Sequence, residues 1–129
     1  MTREILSRGK RVDNGEWVEG YYSPVNIPIT GNMGHFINVG GHRAVEIDPE
    51  TVSQFTGLCD KNGVKIFEGD IVNVKARSCS FTGCVIYWSE EARYACKTKS
   101  GTRYAICARF EFKVIGNIYD NPEFKEDTE

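Results

Sequence analysis

Three acidic residues in one short stretch are, by type and spacing, the residues of this chain best suited to chemistry. Asp60, Glu68 and Asp70 lie within the sequence DKNGVKIFEGDIV, and carboxylates so placed could exchange protons with a substrate or hold a metal ion. No histidine accompanies them. Acidic residues near turn glycines usually accept hydrogen bonds from the local backbone. We therefore interpret the stretch as turn structure and assign it no ligand.

The turn itself is indicated by Asn62-Gly63, a pair that favours a two-residue type I′ hairpin because both residues tolerate positive φ. Such a hairpin would place Leu58 opposite Phe67 across the ladder. Asp70 would then begin a fresh strand after a second glycine break.

The cysteines and histidines do not form a metal-binding pattern. The five cysteines are an odd number, no C-x-x-C occurs, and neither His35 nor His42 lies beside a cysteine. We expect no metal and no cofactor, and we expect all five thiols to be reduced. The cysteines are Cys59, Cys79, Cys84, Cys96 and Cys107. If Ser100-Gly101 closes a two-residue hairpin, Cys96 faces Ala105 and lies beyond disulfide reach of Cys107.

Catalytic motifs are also missing. There is no Ser-His-Asp or Cys-His neighbourhood, no G-x-x-x-x-G-K-[ST] and no H-E-x-x-H. Gly40-Gly41 beside His42 and Arg43 could cradle a phosphate, but no helix pattern follows the pair, as a phosphate loop requires. We predict that the protein is not an enzyme.

A basic segment, residues 93–113, supports a different class of function. It contains six basic residues against one acid, with aromatic residues interleaved, which are the ingredients of a groove for single-stranded nucleic acid. The candidate contacts are Arg93, Tyr94, Lys97, Lys99, Arg103 and Tyr104. Two observations weaken this hypothesis. A two-residue hairpin would put Arg93, Lys97 and Lys99 on one face and Arg103 and Arg109 on the other, and the pI of about 5.7 is not that of a polyanion binder.

The elements that would position these residues are short strands separated by turn signals. The spacing of these strands and turns is typical of a small antiparallel barrel or sandwich. Residues 23–50 hold three of the four prolines and predict a long connection, with a short strand at His35–Val39 and one helical turn at Asp48-Pro49-Glu50. The strands predicted outside that connection are Trp17–Tyr22, Val52–Leu58, Lys65–Phe67, Asp70–Ala76, Gly83–Trp88, Arg93–Thr98, Arg103–Phe110 and Phe112–Tyr119.

Three blocks of the chain resemble the YopX family, small proteins of bacteriophages and prophages. The blocks are RGKRVDNGEWVEGYY, IDPETVSQFTGLCDKNGVKIFEGDIV and VIGNIYDNPEF, about two fifths of the chain. The resemblance implies an all-β protein with an SH3-like small barrel and an N-terminal β extension, with at most one or two short helical turns, and it implies no established activity. Ser53, Cys59 and Phe124 depart from the residues common in the family, and these changes concern details of the fold.

The length fits one domain. Within residues 1–129 we expect an N-terminal β extension and long loop (about 1–46), a barrel core (about 47–121) and an acidic tail (122–129). The N-terminus lacks the apolar core of a signal peptide, and no stretch is apolar enough to span a membrane, which favours the cytoplasm. The resemblance to phage and prophage proteins implies that this is the cytoplasm of a bacterial host.

Function is therefore expected to consist of contact with other macromolecules. We favour a non-enzymatic interaction module that binds a host or phage protein or copies of itself as a homo-oligomer, with nucleic-acid binding through residues 93–113 as the alternative. Hydrophobicity alone selects the candidate oligomer contacts, which are Ile27, Ile29, Met33 and Phe36.

Overall fold

The computed structural model describes residues 5–77, 79–106 and 110–122 of the chain. Within these residues the protein is all-β, as expected, with ten strands and no α-helix. The strands are β1 (Ser7–Arg11), β2 (Trp17–Ile27), β3 (Asn32–Gly40), β4 (Arg43–Cys59), β5 (Lys65–Phe67), β6 (Asp70–Lys75), β7 (Ser80–Trp88), β8 (Arg93–Thr98), β9 (Arg103–Ala105) and β10 (Glu111–Asn117).

These strands form two five-stranded antiparallel sheets. The first has the order β1-β2-β3-β4-β5, with β1 also paired to β4, and the second has the order β10-β6-β7-β8-β9. The chain divides into two compact units, unit 1 (residues 1–55) and unit 2 (residues 56–129). That the whole chain forms one domain, and that its barrel is SH3-like, stay predictions.

Unit 1 closes on itself because β1 pairs with both β2 and β4. Ile37 and Ile47 are fully buried. A Cβ atom at Gly9 would meet the Ile47 side chain at 3.2 Å, so the missing side chain allows the close approach of β1 to β4. Asn14-Gly15, a pair typical of turns, lies in the turn between β1 and β2: the Arg11 N–H donates to the Glu16 carbonyl at 2.9 Å, and Gly15 has a φ of 72°.

The long connection predicted for residues 23–50 is wrong. Strand β2 continues to Ile27 and pairs with β3 in a long hairpin, and β4 begins at Arg43. Only the short strand at His35–Val39 is confirmed, within the longer β3. Proline misled the prediction: Pro24 pairs with His35 of β3, and no strand of the described residues pairs with the other side of β2 there, so its missing N–H costs no ladder bond.

The helical turn predicted at Asp48-Pro49-Glu50 is also wrong, because these residues lie within β4. The β1–β4 register shifts there, between Arg8 and Lys10. Asp48 Oδ1 accepts the Glu50 N–H at 3.1 Å, and the Thr51 hydroxyl donates to the Asp48 carbonyl at 2.6 Å. The same side chains that would cap a helix thus stabilise a strand irregularity.

In unit 2, alternate residues of the strands supply one hydrophobic core. The buried cluster consists of Ile66, Val72, Val74, Val85, Cys96 and Phe112. Val72 faces Val114, and Val74 faces both Phe112 and Phe81, so the period-2 pattern places these side chains on one face of the second sheet. Leu58 packs against the same cluster.

The turn between β4 and β5 is held by a buried carboxylate. Asp60 Oδ1 accepts the N–H groups of Asn62 and Val64 at 2.8 and 2.9 Å, and Oδ2 accepts the N–H of Val114 in β10 at 2.9 Å. Burial of Asp60 acts to raise its pKa, but the three N–H donors outweigh it, so the pKa is lowered. One side chain therefore joins a local turn to a strand 54 residues away.

The predicted type I′ geometry of that turn is wrong. The Asp60 N–H donates to the Val64 carbonyl at 2.7 Å, which makes a three-residue turn, and only Gly63 has positive φ, at 81°. This is the type I turn followed by a left-handed glycine. The register moves by one residue, so the predicted pairing of Leu58 with Phe67 is wrong.

The turn between β8 and β9 corrects the sequence prediction in the same way. The Thr98 N–H donates to the Thr102 carbonyl at 2.9 Å, and Gly101 has a φ of 89°, so this turn also has three residues. Cys96 therefore faces Tyr104 instead of Ala105. Strand β9 ends at Ala105, and Cys107 and Arg109 lie outside the described residues, as does the acidic tail beyond Pro122.

Four cysteines lie within the described residues, and all four are free thiols. Cys59 and Cys79 are exposed, whereas Cys84 and Cys96 are buried. Burial raises the pKa of Cys84 and of Cys96 to about 12. Because the thiolate is the reactive form, the two buried thiols should be inert.

Replacing Asp60 with asparagine should destabilise the protein. Asp60→Asn keeps the size of the side chain, but an amide cannot accept hydrogen bonds at both of its ends. We expect the free energy of unfolding at pH 7 to fall by about 2–3 kcal/mol, the magnitude for hydrogen bonds to a charged group. A carboxylate whose pKa is lowered by folding stabilises the folded state at pH values above its pKa in the unfolded chain. This stabilisation is lost as the pH falls through the pKa of the carboxylate in the folded state. The difference between the two proteins should therefore shrink below about pH 4.

Urea unfolding at pH 7 and pH 3 measures this difference. Asp13→Asn is the matched control, since Asp13 is exposed and its carboxylate pairs with Arg11 at the surface. Equal unfolding midpoints for Asp60→Asn and the wild type would contradict the role assigned to Asp60.

The backbone of Gly63 gives a second test of the same turn. Gly63→Val forces a β-branched residue to positive φ, and we expect it to lower the free energy of unfolding by about 1–3 kcal/mol. Gly63→Asn is the control because asparagine tolerates this conformation. Thermal melts of the three proteins suffice, and a valine variant as stable as the asparagine variant would exclude strain at Gly63.

Thiol labelling tests the burial of the cysteines. At pH 8, iodoacetamide should modify Cys59 and Cys79 quickly and Cys84 and Cys96 slowly, because a pKa of about 12 leaves roughly one thiol in ten thousand ionised. Peptide mass mapping after timed labelling identifies the sites. In denaturant without reductant we expect five adducts, and three or fewer would show that disulfides are present.

Candidate functional site

The three acidic residues Asp60, Glu68 and Asp70 accept hydrogen bonds from the backbone. Asp70 Oδ2 accepts the Phe67 N–H at 2.8 Å, and Asp60 accepts the three bonds described above. Glu68 is partly buried, which raises its pKa, and it accepts a hydrogen bond from the backbone of Tyr87, which acts in the opposite direction. Within the described ranges no three His, Cys, Asp or Glu side chains come together as metal ligands. The turn interpretation of this stretch is supported by these bonds.

A second region, which we call the arm, is the outer part of the β2–β3 hairpin from Tyr21 to His35. Strand β1 pairs with β2 only as far as Gly20, and β4 pairs with β3 only from Phe36 inward. Among the described residues the arm is therefore a ribbon of two strands. Every residue from Tyr21 to Asn26 is exposed, although side chains on a half-buried strand would alternate between buried and exposed.

The four candidate oligomer contacts are distributed over the arm and its base. Ile27 and Phe36 lie on one face, where a Cβ atom at Gly34 would meet both side chains within 3 Å. They therefore pack together across a glycine. Met33 lies on the opposite face and is 51% exposed, and Ile29 in the turn is 97% exposed. The structure thus brings two of the four together and places the other two elsewhere on the arm.

A polar contact stiffens the second face of the arm. The Tyr22 hydroxyl lies 2.6 Å from His35 Nδ1, and the two rings stack in parallel with centroids 6.0 Å apart. Tyr22 and Met33 lie on the same face. This pair holds the two strands together where no third strand supports them.

The basic segment lies mainly on β8 and β9, and its charge is not divided as the sequence predicted. Lys97 pairs directly with Arg103, and Arg93 lies four residues from Lys97 on the same strand, so all three share one face of the second sheet. The expected split between Lys97 and Arg103 is wrong, because it assumed a two-residue turn. Lys99 lies in the turn after β8, and Arg109 is outside the described residues.

The two tyrosines chosen as nucleic-acid contacts lie on the opposite face. Tyr104 pairs with Cys96 and stacks on Phe81 with ring centroids 4.3 Å apart. Tyr94 packs against the buried cluster of unit 2 and meets the ring of Tyr87 edge to face at 5.3 Å. Both rings thus lie on the face that carries Cys96, where Tyr94 packs on the core and Tyr104, on the edge strand β9, is 40% exposed.

A residue that the sequence prediction missed, Trp88, joins the basic face. It pairs with Arg93 across the β7–β8 turn, and the guanidinium carbons of Arg93 and Arg103 lie 5.8 and 5.7 Å from its ring centroid. We call Trp88, Arg93, Lys97 and Arg103 the Trp88 face. The four-residue loop 89–92 could have indicated this position from the sequence. Residues that flank such a loop pair with each other, so Trp88 and Arg93 lie on the same face of the sheet.

A cleft of about 480 Å³ in unit 1 is lined by Arg11–Asp13 and His42–Glu46. Arg11 donates to both carboxylate oxygens of Asp13, at 2.9 and 2.7 Å. This bond raises the pKa of Arg11 and lowers that of Asp13. The two arginines and two acids of the cleft cancel in formal charge. Gly41, with a φ of 59°, belongs to the short turn between Gly40 and its partner Arg43, which supports a hairpin over a phosphate cradle.

Comparison with known proteins gives a family and a related fold. The family model described as YopX protein matches residues 8–125. A crystal structure of protein EF1440 from Enterococcus faecalis has 24% sequence identity and a TM-score of 0.57, and the match covers 95% of this chain and 98% of that chain. At this identity the likeness shows the fold alone. No curated protein matches the chain, and the described residues contain no helix long and apolar enough to cross a membrane.

Proposed function

The chain belongs to the YopX family, and we propose that it is a non-enzymatic interaction module that self-associates through the arm. The proposal places it in the cytoplasm of a bacterial host, as part of a bacteriophage or prophage. Its partners are copies of itself and, in addition, a host or phage protein.

The observation that supports the proposal is the exposure of apolar side chains on both faces of the arm. Val25 lies on the face of Ile27 and Phe36, whereas Met33 lies on the other face, and Val25 and Met33 are about half exposed. Ile29 is 97% exposed at the tip. Exposed apolar groups concentrated in one element mark an interaction site more often than scattered ones.

The shape of the arm defines the kind of contact. A two-stranded hairpin by itself is marginally stable in water, and the arm is two-stranded within the described residues. An element with apolar groups on both faces is buried best when a partner encloses it. We therefore expect reciprocal exchange or clasping of arms between two copies, a symmetric contact in which the same surface serves both chains.

Light scattering coupled to size-exclusion chromatography tests self-association. We expect the wild type to have at least twice the monomer mass of 14.5 kDa. Ile29→Ser combined with Met33→Ser should return the protein to the monomer mass, because the arm then buries little apolar area. A monomer across a wide concentration range for the wild type would remove self-association from the proposal.

Ile115→Ser is the matched control. Ile115 is 50% exposed, like Met33, but it lies on β10, which contributes nothing to the arm. We expect this variant to keep the wild-type mass. Dissociation of the control together with the arm variant would mean that any loss of surface hydrophobicity weakens the oligomer, and the arm would have no special role.

Nucleic-acid binding, the alternative function, is compatible with an arm that self-associates. Its candidate residues lie on β7, β8 and β9 and in the turn between β8 and β9, and none of these elements contributes to the arm. The correction of the β8–β9 register favours this alternative, because it puts Arg103 on the same face as Arg93 and Lys97.

A further inference from the structure

We propose that the Trp88 face binds single-stranded nucleic acid, with a base stacked at Trp88 and phosphates bound by Arg93, Lys97 and Arg103. This proposal does not depend on the arm. It differs from the alternative expected from the sequence in its aromatic contact, since Tyr94 and Tyr104 lie on the opposite face of the sheet from the cations and Trp88 takes their place.

The charge of the face is the first support. Arg93 and Arg103 are exposed and Lys97 is half-buried, and the three lie on neighbouring strands with Lys97 directly opposite Arg103. Adjacent strands are about 5 Å apart, so the cations form one compact group. Guanidinium groups bind phosphate oxygens through paired N–H bonds, which gives direction as well as charge.

Further cations lie on the same side of the sheet near its other edge, beyond the buried side chains of Cys84 and Ile71. Lys113 pairs with Asn73, and Asn73 pairs with Thr82. Thr82 lies on the same side of the sheet as Cys84, the partner of Lys97. Lys113 therefore lies on this side, as does Lys75, two residues from Asn73 on β6. Glu111, opposite Lys75, is the acid of β10 on this face. The charged strand residues of this face are therefore mainly basic, with Lys75, Arg93, Lys97, Arg103 and Lys113 against Glu111, although the whole chain carries a net charge of -2.

The aromatic ring is the second support. Trp88 is half-buried, so part of the indole is available to a ligand. The guanidinium groups of Arg93 and Arg103 lie over the ring within 6 Å of its centroid. Arginine and aromatic side chains together supply the cation–π and stacking contacts that bind single strands, and a base that stacks on the indole takes the place of one guanidinium, which then binds phosphate. Single strands offer unpaired bases to such a ring, whereas a duplex keeps its bases stacked inside.

The acid that competes for this face is weakly engaged. Glu91 accepts a hydrogen bond from Arg93 Nη2 at 3.1 Å, and both side chains are about half exposed. Exposed pairs of this kind contribute little stability, so a phosphate can displace the carboxylate from Arg93.

Trp17 in unit 1 provides an internal comparison. Arg8 and Lys10 lie over its ring at 4.5 and 5.4 Å, so the local chemistry resembles that of Trp88. However, Glu19 pairs directly with Arg8, and Arg8 Nε donates to the Ser53 hydroxyl at 3.3 Å. The Trp17 cations are thus engaged within unit 1, and this cluster is a matched control.

Fluorescence anisotropy of labelled oligo-dT and oligo-U, titrated with the full chain at several salt concentrations, tests the proposal. We expect binding that weakens linearly in a plot of log affinity against log salt. Arg93→Gln with Arg103→Gln should reduce the slope by about 1.4, from 0.7 for each phosphate contact. Trp88→Leu should weaken binding about 5- to 150-fold at constant slope, the loss expected for one stacked base.

Matched variants separate this site from general charge effects. Arg8→Gln with Lys10→Gln removes the same number of charges at Trp17 and should leave the affinity and the slope unchanged. If Trp88→Leu does not fold, Arg103→Lys keeps the charge but loses paired N–H donation, and it should weaken binding while preserving the slope. Ile29→Ser with Met33→Ser should bind the oligonucleotide as the wild type does, which separates this proposal from self-association through the arm.

Several results would overturn the proposal. These are no binding at low salt, equal loss of affinity in the Trp17 and Trp88 variants, or equal affinity for duplex DNA of the same length. Equal affinity for dextran sulfate or for poly-glutamate would also overturn it, since a polyanion without bases, or an acidic polypeptide, would then serve as well as a single strand.

Discussion

The carboxylate of Asp60 is the contact on which the arrangement of unit 2 most depends. Its two oxygens accept three backbone N–H groups, two from the β4–β5 turn and one from Val114 of β10. The Lys61 N–H donates to the Phe112 carbonyl at 2.9 Å, so the same turn is tied to β10 a second time. A buried charge is costly unless it is fully hydrogen-bonded, and here the donors are backbone groups that would otherwise lack partners. Removing the carboxylate would leave both ends of this connection unsatisfied.

Two turn glycines determine where the surface chemistry of unit 2 appears. Gly63 and Gly101 both take positive φ at the third position of a three-residue turn, and each makes its hairpin one residue longer at the turn than a type I′ hairpin. Because side chains alternate between faces, a shift of one residue moves every side chain of a strand relative to its neighbour. At β8–β9 this shift places Lys97 opposite Arg103 and turns Tyr104 toward Phe81. The basic face is thus a consequence of turn geometry, which residue composition alone does not determine.

Much of the fold could be predicted from the sequence, for physical reasons that also explain the errors. The all-β class could be predicted from short runs of β-branched and aromatic residues between turns that contain glycine. The bonds of Asp60 to the backbone of the β4–β5 turn could be predicted because Asp60 lies close to Gly63. Residues 23–50 were mistaken for a loop because proline and glycine usually interrupt strands, whereas here Pro24 lies where β2 needs no donor on its outer side. Asp48 was mistaken for a helix cap, since the oxygens that cap a helix also stabilise a bulge. Trp88 was missed because its contact with Arg103 depends on the β8–β9 register, and the Ser100-Gly101 pair is compatible with both a two-residue and a three-residue turn.

The arm and the Trp88 face illustrate two ways in which a sheet acquires a surface for contact. In the arm, two strands extend past the neighbours that cover the rest of the sheet, so apolar side chains on both faces remain exposed. The Trp88 face belongs to the second sheet, which buries side chains on both sides, such as Ala95 and Cys96. The exposed side chains of this face therefore lie at the ends of strands and on the edge strand. Large cations and an indole suit such positions because their long stems cover apolar surface while their polar ends remain in water. The first surface therefore favours burial by a partner of matching shape, and the second favours a flexible, charged chain that contacts separate points along an edge.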